Sequence, residues 1–169
     1  MATSKRDTLI VGLRNAYALE GQALSTMANV RDRLEHYPEL KAAVAQHIQE
    51  TQRQQQMVEQ CLGRFGEEPS ALKDAALKLM GNLQAMAHGM ASDEVLKNLF
   101  ALYAFEHFEI ASYKSLIALA DDSGEREVGE VCRQILGQEE AAARKLEGLI
   151  EPVTRAYAQR QAADMTASR

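Results

Sequence analysis

The sequence predicts an all-α fold: four long helices arranged as two antiparallel hairpins, joined by a long crossover that carries a short extra helix. Three observations predict it. Helix-favouring Ala, Leu, Glu, Gln, Lys and Arg dominate, while aromatic residues make up 5% and Trp is absent. Turn-forming residues are sparse and fall together at His36-Tyr37-Pro38, Gly63 to Pro69, Gly89 to Asp93 and Asp121-Asp122-Ser123-Gly124. Between these breaks the apolar residues recur at helical spacing, not in the alternation of a strand.

Taken in order, the long helices are expected at about 7–34, 39–65, 93–120 and 125–156, with the shorter amphipathic one near 70–86. The first and last connections are about four residues long, which makes each flanking pair an antiparallel hairpin. The middle connection, about 27 residues from Gly66 to Ser92, is long enough to run back along the bundle and leave the second and third helices parallel. That is the connectivity of ferritin-like bundles; an up-down-up-down bundle with an insertion is the alternative. The crossover stripe of Leu72, Leu79, Met80, Leu83, Met86 and Met90 is expected to pack on the bundle or, failing that, at a dimer contact. A single domain over 1–156 follows, with residues 157–169 expected to fray.

Composition also removes several function classes. A net charge of −5 and no basic run give nucleic-acid binding no electrostatic source. No stretch approaches the roughly 18 uncharged residues of a membrane span, and the N-terminal segment lacks the apolar core of a signal peptide, so a cytoplasmic protein is expected. Cys61 and Cys132 are too few for a disulfide framework and lie on apolar faces, as buried free thiols do.

Helical wheels reveal the chemistry. Glu20 sits in the middle of the stripe formed by Leu9, Leu13, Ala16, Tyr17, Leu24, Met27 and Leu34. Glu106 is central on the third helix and Glu109 lies one turn on, both inward; on the fourth, Glu139 points inward and Glu140 outward. The second helix is less clean: His47, Thr51 and Gln54 interrupt its apolar face and Glu50 lies at the edge, close to His47 on the helix surface. Each acid falls near the midpoint of its helix, so Glu20, Glu50, Glu106, Glu109 and Glu139 should meet in one cross-section. One such Glu is most often a boundary residue paired with a surface Arg, but the same departure at one level on several helices calls for another cause. No inward-facing Lys or Arg is available in that layer to neutralise them. Two divalent cations would nearly do so, and so would two trivalent ions sharing an oxide, which favours a di-iron centre. Oxygen-rich ligation with at most one imidazole also admits manganese or zinc.

The strings Tyr17-Ala18-Leu19-Glu20, His47-Ile48-Gln49-Glu50-Thr51, Glu106 to Tyr113 and Glu139-Glu140 resemble the YciF/YciE family of bacterial stress-induced ferritin-like proteins, from about Asp7 to Pro152. The resemblance implies a ferritin-like bundle, a rubrerythrin-like dimetal site and homodimers. By position it assigns Glu20, Glu50, Glu106, Glu109 and Glu139 to the metal-ligand set, with His47 as a ligand or as a hydrogen-bond partner of one. Ferritin-like sites often carry Glu-x-x-His on two helices; here Arg53 and Ala142 stand three residues after Glu50 and Glu139, and the second helix reads His-x-x-Glu instead. His107 is expected to face outward or sit at a helix boundary and His88 has no evident partner, while Tyr17, Tyr103 and Tyr113 lie on inward faces near the layer.

The expected function is that of a dimetal-carboxylate stress-response protein whose centre, if iron, reacts with peroxide or dioxygen. The alternative is a structural or interaction protein in which the metal only holds the bundle together. Iron storage ranks third, because nothing in the sequence specifies a cage.

Overall fold

The computed structural model describes residues 4–67 and 93–168, and all its regular structure there is helical. Four helices follow one another: α1 (Lys5–Arg33), α2 (Pro38–Gly63), α3 (Glu94–Ser123) and α4 (Arg126–Ala162). The short helix expected near 70–86, its apolar stripe and His88 lie outside the described residues.

Local chemistry sets the ends. Ser4 and Asp7 form a reciprocal capping box that satisfies the first free N–H groups of α1. Pro38 opens α2, where its missing N–H costs nothing and its fixed φ suits the first turn. Gly124 closes α3 with φ +77°, a left-handed conformation that a Cβ would disfavour. Within α4 Pro152 removes one backbone hydrogen bond, yet the helix persists because Val153, Ala156 and Tyr157 pack into the core beyond it. It ends later than the sequence suggests. The chain then folds back, so that Ala167 is buried and its carbonyl accepts a hydrogen bond from the Tyr37 hydroxyl.

Ion pairs at both ends fix the helix directions. Lys5 at the start of α1 meets Asp122 near the end of α3, and Arg33 at the end of α1 pairs with Glu94 at the start of α3. Arg64 just after α2 pairs with Glu127 at the start of α4. Helices α2 and α3 are each antiparallel to α1 and hence parallel to each other, which excludes the up-down-up-down alternative. Helix α1 packs on α2 and α3, and α4 packs on α2 and α3, leaving two diagonals.

The core is divided. One apolar cluster holds Leu9, Leu13, Val58, Leu62, Tyr113, Leu116, Val128 and Ile135; the other holds Met27, Leu34, Leu40, Val44, Val95, Leu99, Leu146 and Val153. On every helix the residues between the two clusters include a buried polar group: Glu20 on α1, His47, Thr51 and Gln54 on α2, Glu106 and Glu109 on α3, Glu139 on α4. A polar layer therefore crosses the bundle midway. Cys61 and Cys132 are buried free thiols of the first cluster, and burial pushes Cys132 up to about 12, away from any thiolate chemistry.

Candidate metal centre

Four helices deliver the polar layer because each interrupts its apolar stripe at the same height. The carboxylates of Glu20, Glu106, Glu109 and Glu139 are 0–2% exposed, and His47 is 7% exposed. One ligand atom from each of His47, Glu106, Glu109 and Glu139 lies within 4.8 Å of the other three, a spacing that one cation can bridge. His47 Nε2 stands 3.0 Å from Glu106 Oε2 and 3.7 Å from Glu139 Oε2.

Glu20 flanks this group. Its Oε1 accepts a hydrogen bond from the buried Tyr113 hydroxyl, while its Oε2 has no partner. Of the three tyrosines expected near the layer, Tyr113 alone joins it. Tyr103 is half-buried and meets the exposed His107 ring edge-on, while Tyr17 offers its backbone carbonyl to Gln55. Glu50 stands at the border: its side chain is 30% exposed and its Oε2 lies 3.4 Å from His47 Nδ1. Glu140 is turned outward toward Lys114 at 3.8 Å, as its wheel position implies.

The electrostatics follow from burial. Desolvation, opposed by the Tyr113 hydrogen bond, lifts Glu20 to about 7. Burial and then the negative charges of Glu20, Glu139 and Glu106 drive Glu109 well above the carboxylate range. Burial, followed by Glu106 and Glu20, pushes Glu139 up to about 10, with the nearby polar Gln54 side chain opposing. For His47 burial acts against the imidazolium, but the contacts and charges of Glu106 and then Glu50 outweigh it and the ring is raised. Tyr113 is raised well above its usual value by burial and then by the Glu20 charge.

Polar atoms are left over. Glu20 Oε2, His47 Nε2, Glu106 Oε2, Glu109 Oε1 and both Glu139 oxygens are buried without a hydrogen bond. Among the described residues no Lys or Arg is buried to answer them. Each such atom would cost about 1–3 kcal/mol if nothing replaced water, more when charged. Unpartnered oxygens converging with one imidazole fit a hard or borderline cation, and the residues present suit the metal that the fold implies.

Sequence comparison points the same way. The profile of a domain of unknown function (DUF892) matches residues 4–159. The chain belongs to the DUF892 family. It is the YciF-type ferritin-like family that the sequence resembles. Among solved structures, this DUF892 chain is 39% identical to a protein from Xanthomonas campestris, with 93% of this chain and 97% of that one covered and a TM-score of 0.78. The stress protein YciF of E. coli shares 24% identity over 88% of this chain and 96% of its own, with a TM-score of 0.70. A two-domain protein from Anabaena variabilis that contains DJ-1/ThiJ/PfpI-like and ferritin-like domains is also similar, at 20% identity and a TM-score of 0.67, over 90% of this chain and 38% of that one. The DUF892 chain is a ferritin-like helical bundle, and none of its described helices is long and apolar enough to cross a membrane.

Three features were not assigned from the sequence. The bond from Tyr113 to Glu20 spans two helices, and no local pattern signals it. Gln54 reads as inward on the wheel, but its place beside Glu139 and its 3.2 Å hydrogen bond to Gln138 depend on how α2 packs on α4. Gln46 and Lys145 look like ordinary surface residues, yet they meet over the border of the layer at 2.6 Å.

Proposed function

We propose that this chain is a dimetal-carboxylate protein of the stress response whose centre, when iron-loaded, reacts with peroxide or dioxygen. His47, Glu106, Glu109 and Glu139 would hold the metal with Glu20 completing the carboxylate set, and Glu50 stays outside that resident group. The observation that carries the reading is the convergence of buried carboxylate oxygens without hydrogen bonds in a layer whose described residues include no buried Lys or Arg. Two iron ions would supply redox equivalents and Lewis acidity there; manganese or zinc would supply the second without the first.

The rest is the work of the chain. Helices α1 to α4 hold the ligand backbones rigid, and carboxylates can change between one-oxygen and two-oxygen binding without backbone motion. Tyr113 fixes one oxygen of Glu20, so that the other faces the layer. The flanking apolar clusters keep bulk water out, which strengthens every electrostatic contact inside. A cytoplasmic homodimer belongs to this reading; the half-exposed Phe100 and Phe108 on α3 offer apolar surface for a second copy.

Metal analysis of the purified protein, followed by absorption spectra as hydrogen peroxide is added to the Fe(II)-loaded form, tests the proposal. Two metals per chain and rapid, repeatable oxidation support it. Bound metal that stays inert supports the second reading, in which the ions only tie together helices whose midpoints carry like charges. Protein free of metal after loading refutes both.

A further inference from the structure

The resident carboxylates are sealed, so a cation must reach them by some route. Glu20, Glu106, Glu109 and Glu139 are no more than 2% exposed. One recess of about 80 Å³ leads inward between α2 and α4, with His47 and Glu106 at its inner end and Gln46, Glu50 and Lys145 at its mouth. Its walls are low because small side chains line them: Ala43 on α2, Ala141 and Ala142 on α4. Ala142 stands three residues after Glu139, where many ferritin-like sites carry a histidine, and its small side chain lines the recess. A volume of this size admits several water molecules, or a small cation with part of its hydration shell.

Polar atoms mark the path at short steps. At the mouth, Lys145 Nζ donates to Gln46 Oε1 at 2.6 Å, and Gln46 Nε2 donates to Glu50 Oε1 at 2.9 Å. The other Glu50 oxygen lies 3.4 Å from His47 Nδ1, and His47 Nε2 lies 3.0 Å from Glu106 Oε2. Both of these inner atoms are buried and lack a hydrogen bond. His47 and Glu106 thus line a recess whose outer rim carries the one partly exposed carboxylate of the expected set.

We infer that the α2–α4 recess is the uptake route for divalent cations. Glu50 is the first protein ligand an incoming ion meets, and the Lys145–Gln46 hydrogen bond is a latch across the mouth. The inference rests on the dimetal reading and adds the path to it. An arriving ion exchanges water for Glu50 oxygen and then for the inner ligands. The Lys145 ammonium opposes it by charge and, through Gln46, holds Glu50 in place. Field focusing in a narrow charged cleft changes arrival rates by about 10- to 1,000-fold in all, so one charge at the mouth should change them measurably.

The test follows Co(II) uptake by metal-free protein in a stopped-flow spectrometer, with metal content at equilibrium measured separately. Glu50→Gln should slow uptake about tenfold, Lys145→Gln should speed it several-fold, and Ala43→Leu, which fills the recess, should slow it most. Lys145→Gln and Ala43→Leu should reach the wild-type cation content. Ala143→Leu, in the groove on the α3 side of α4, is the control and should leave the rate unchanged. Circular dichroism verifies folding of each, and the two polar variants decide the matter if a leucine variant does not fold. Wild-type rates in both Glu50→Gln and Lys145→Gln would overturn the route, as would slowing by Ala143→Leu equal to that by Ala43→Leu. A wild-type chain that takes up no cation sinks the dimetal reading itself, whereas uptake that ignores these substitutions sinks only the path.

Discussion

Raising the pH from 5 to 8 should destabilise the metal-free protein. Glu20 ionises near 4.5 in an unfolded chain and at about 7 in the bundle, because burial penalises its charge. An acid whose folded value is raised binds more protons in the native state, so stability is greatest at low pH and falls as pH climbs from the unfolded value through the folded one. At about 1.4 kcal/mol per unit, Glu20 alone removes on the order of 3 kcal/mol across that window. Glu109 and Glu139 are raised for the same reason and push in the same direction. His47, also raised, stabilises the fold at low pH and loses that contribution as pH rises through its folded value, which again adds to the trend. For a domain of this size the Glu20 term corresponds to a fall in melting temperature on the order of 10 °C. Thermal melts of metal-free protein by circular dichroism at half-unit pH steps measure it. Glu20→Gln, which cannot ionise, should flatten the slope by about the same 3 kcal/mol. Protein loaded with Mn(II) should show the opposite slope, since protons then compete with the metal for its ligands. A metal-free melting temperature that stays level or rises between pH 5 and 8 would refute the claim that these acids are held in a dry interior.

Other substitutions separate the layer from its surroundings. Glu106→Ala should abolish stable metal binding and lower the melting temperature of protein purified with metal, read by elemental analysis and calorimetry; two retained ions would remove Glu106 from the ligand set. Glu140→Ala should change stability by less than about 1 kcal/mol, because its partner Lys114 is solvent-exposed and such pairs contribute little. Tyr113→Phe leaves Glu20 Oε1 as unpartnered as Oε2 and should cost the metal-free protein about 1–3 kcal/mol in urea unfolding. Gly124→Ala, at φ +77°, should cost about 1 kcal/mol and leave metal content unchanged.

Much of the fold can be read along the chain because local rules dominate a helical bundle. Turn clusters mark the breaks between α1 and α2 and between α3 and α4, and stripe periodicity orients each helix without knowledge of its neighbours. The same periodicity exposes Glu20, Glu106, Glu109 and Glu139, since an acid at the centre of an apolar stripe is out of place whatever the partner helix. Glu50 is harder. At a stripe's edge, a few degrees of helix rotation decide between burial and solvent, and rotation is set by packing with α1 and α4. The carboxyl end of α4 shows a related limit: Pro152 and the Ala- and Gln-rich segment after it suggest an early stop, while Tyr157 and the contact from Tyr37 to Ala167 extend order further. Those contacts join positions far apart in sequence, where no periodic signal reaches.

A layer of like charges between two apolar clusters is an expensive way to fill a bundle. Leu or Val at Glu20 and Glu139 would join the clusters into one continuous core and add burial of about 1.5–3 kcal/mol per side chain. Such a chain should be more stable without metal than the natural one, since replacing buried charged groups by well-packed apolar ones is often stabilising. The double substitution Glu20→Leu with Glu139→Leu therefore divides stability from function in one experiment. We expect the doubly substituted protein to melt at a higher temperature than metal-free wild type and to gain nothing when Mn(II) is added. If it instead melts lower than metal-free wild type, the acids serve the bundle by hydrogen bonding among themselves as protonated groups, and the layer needs no cation to be tolerable.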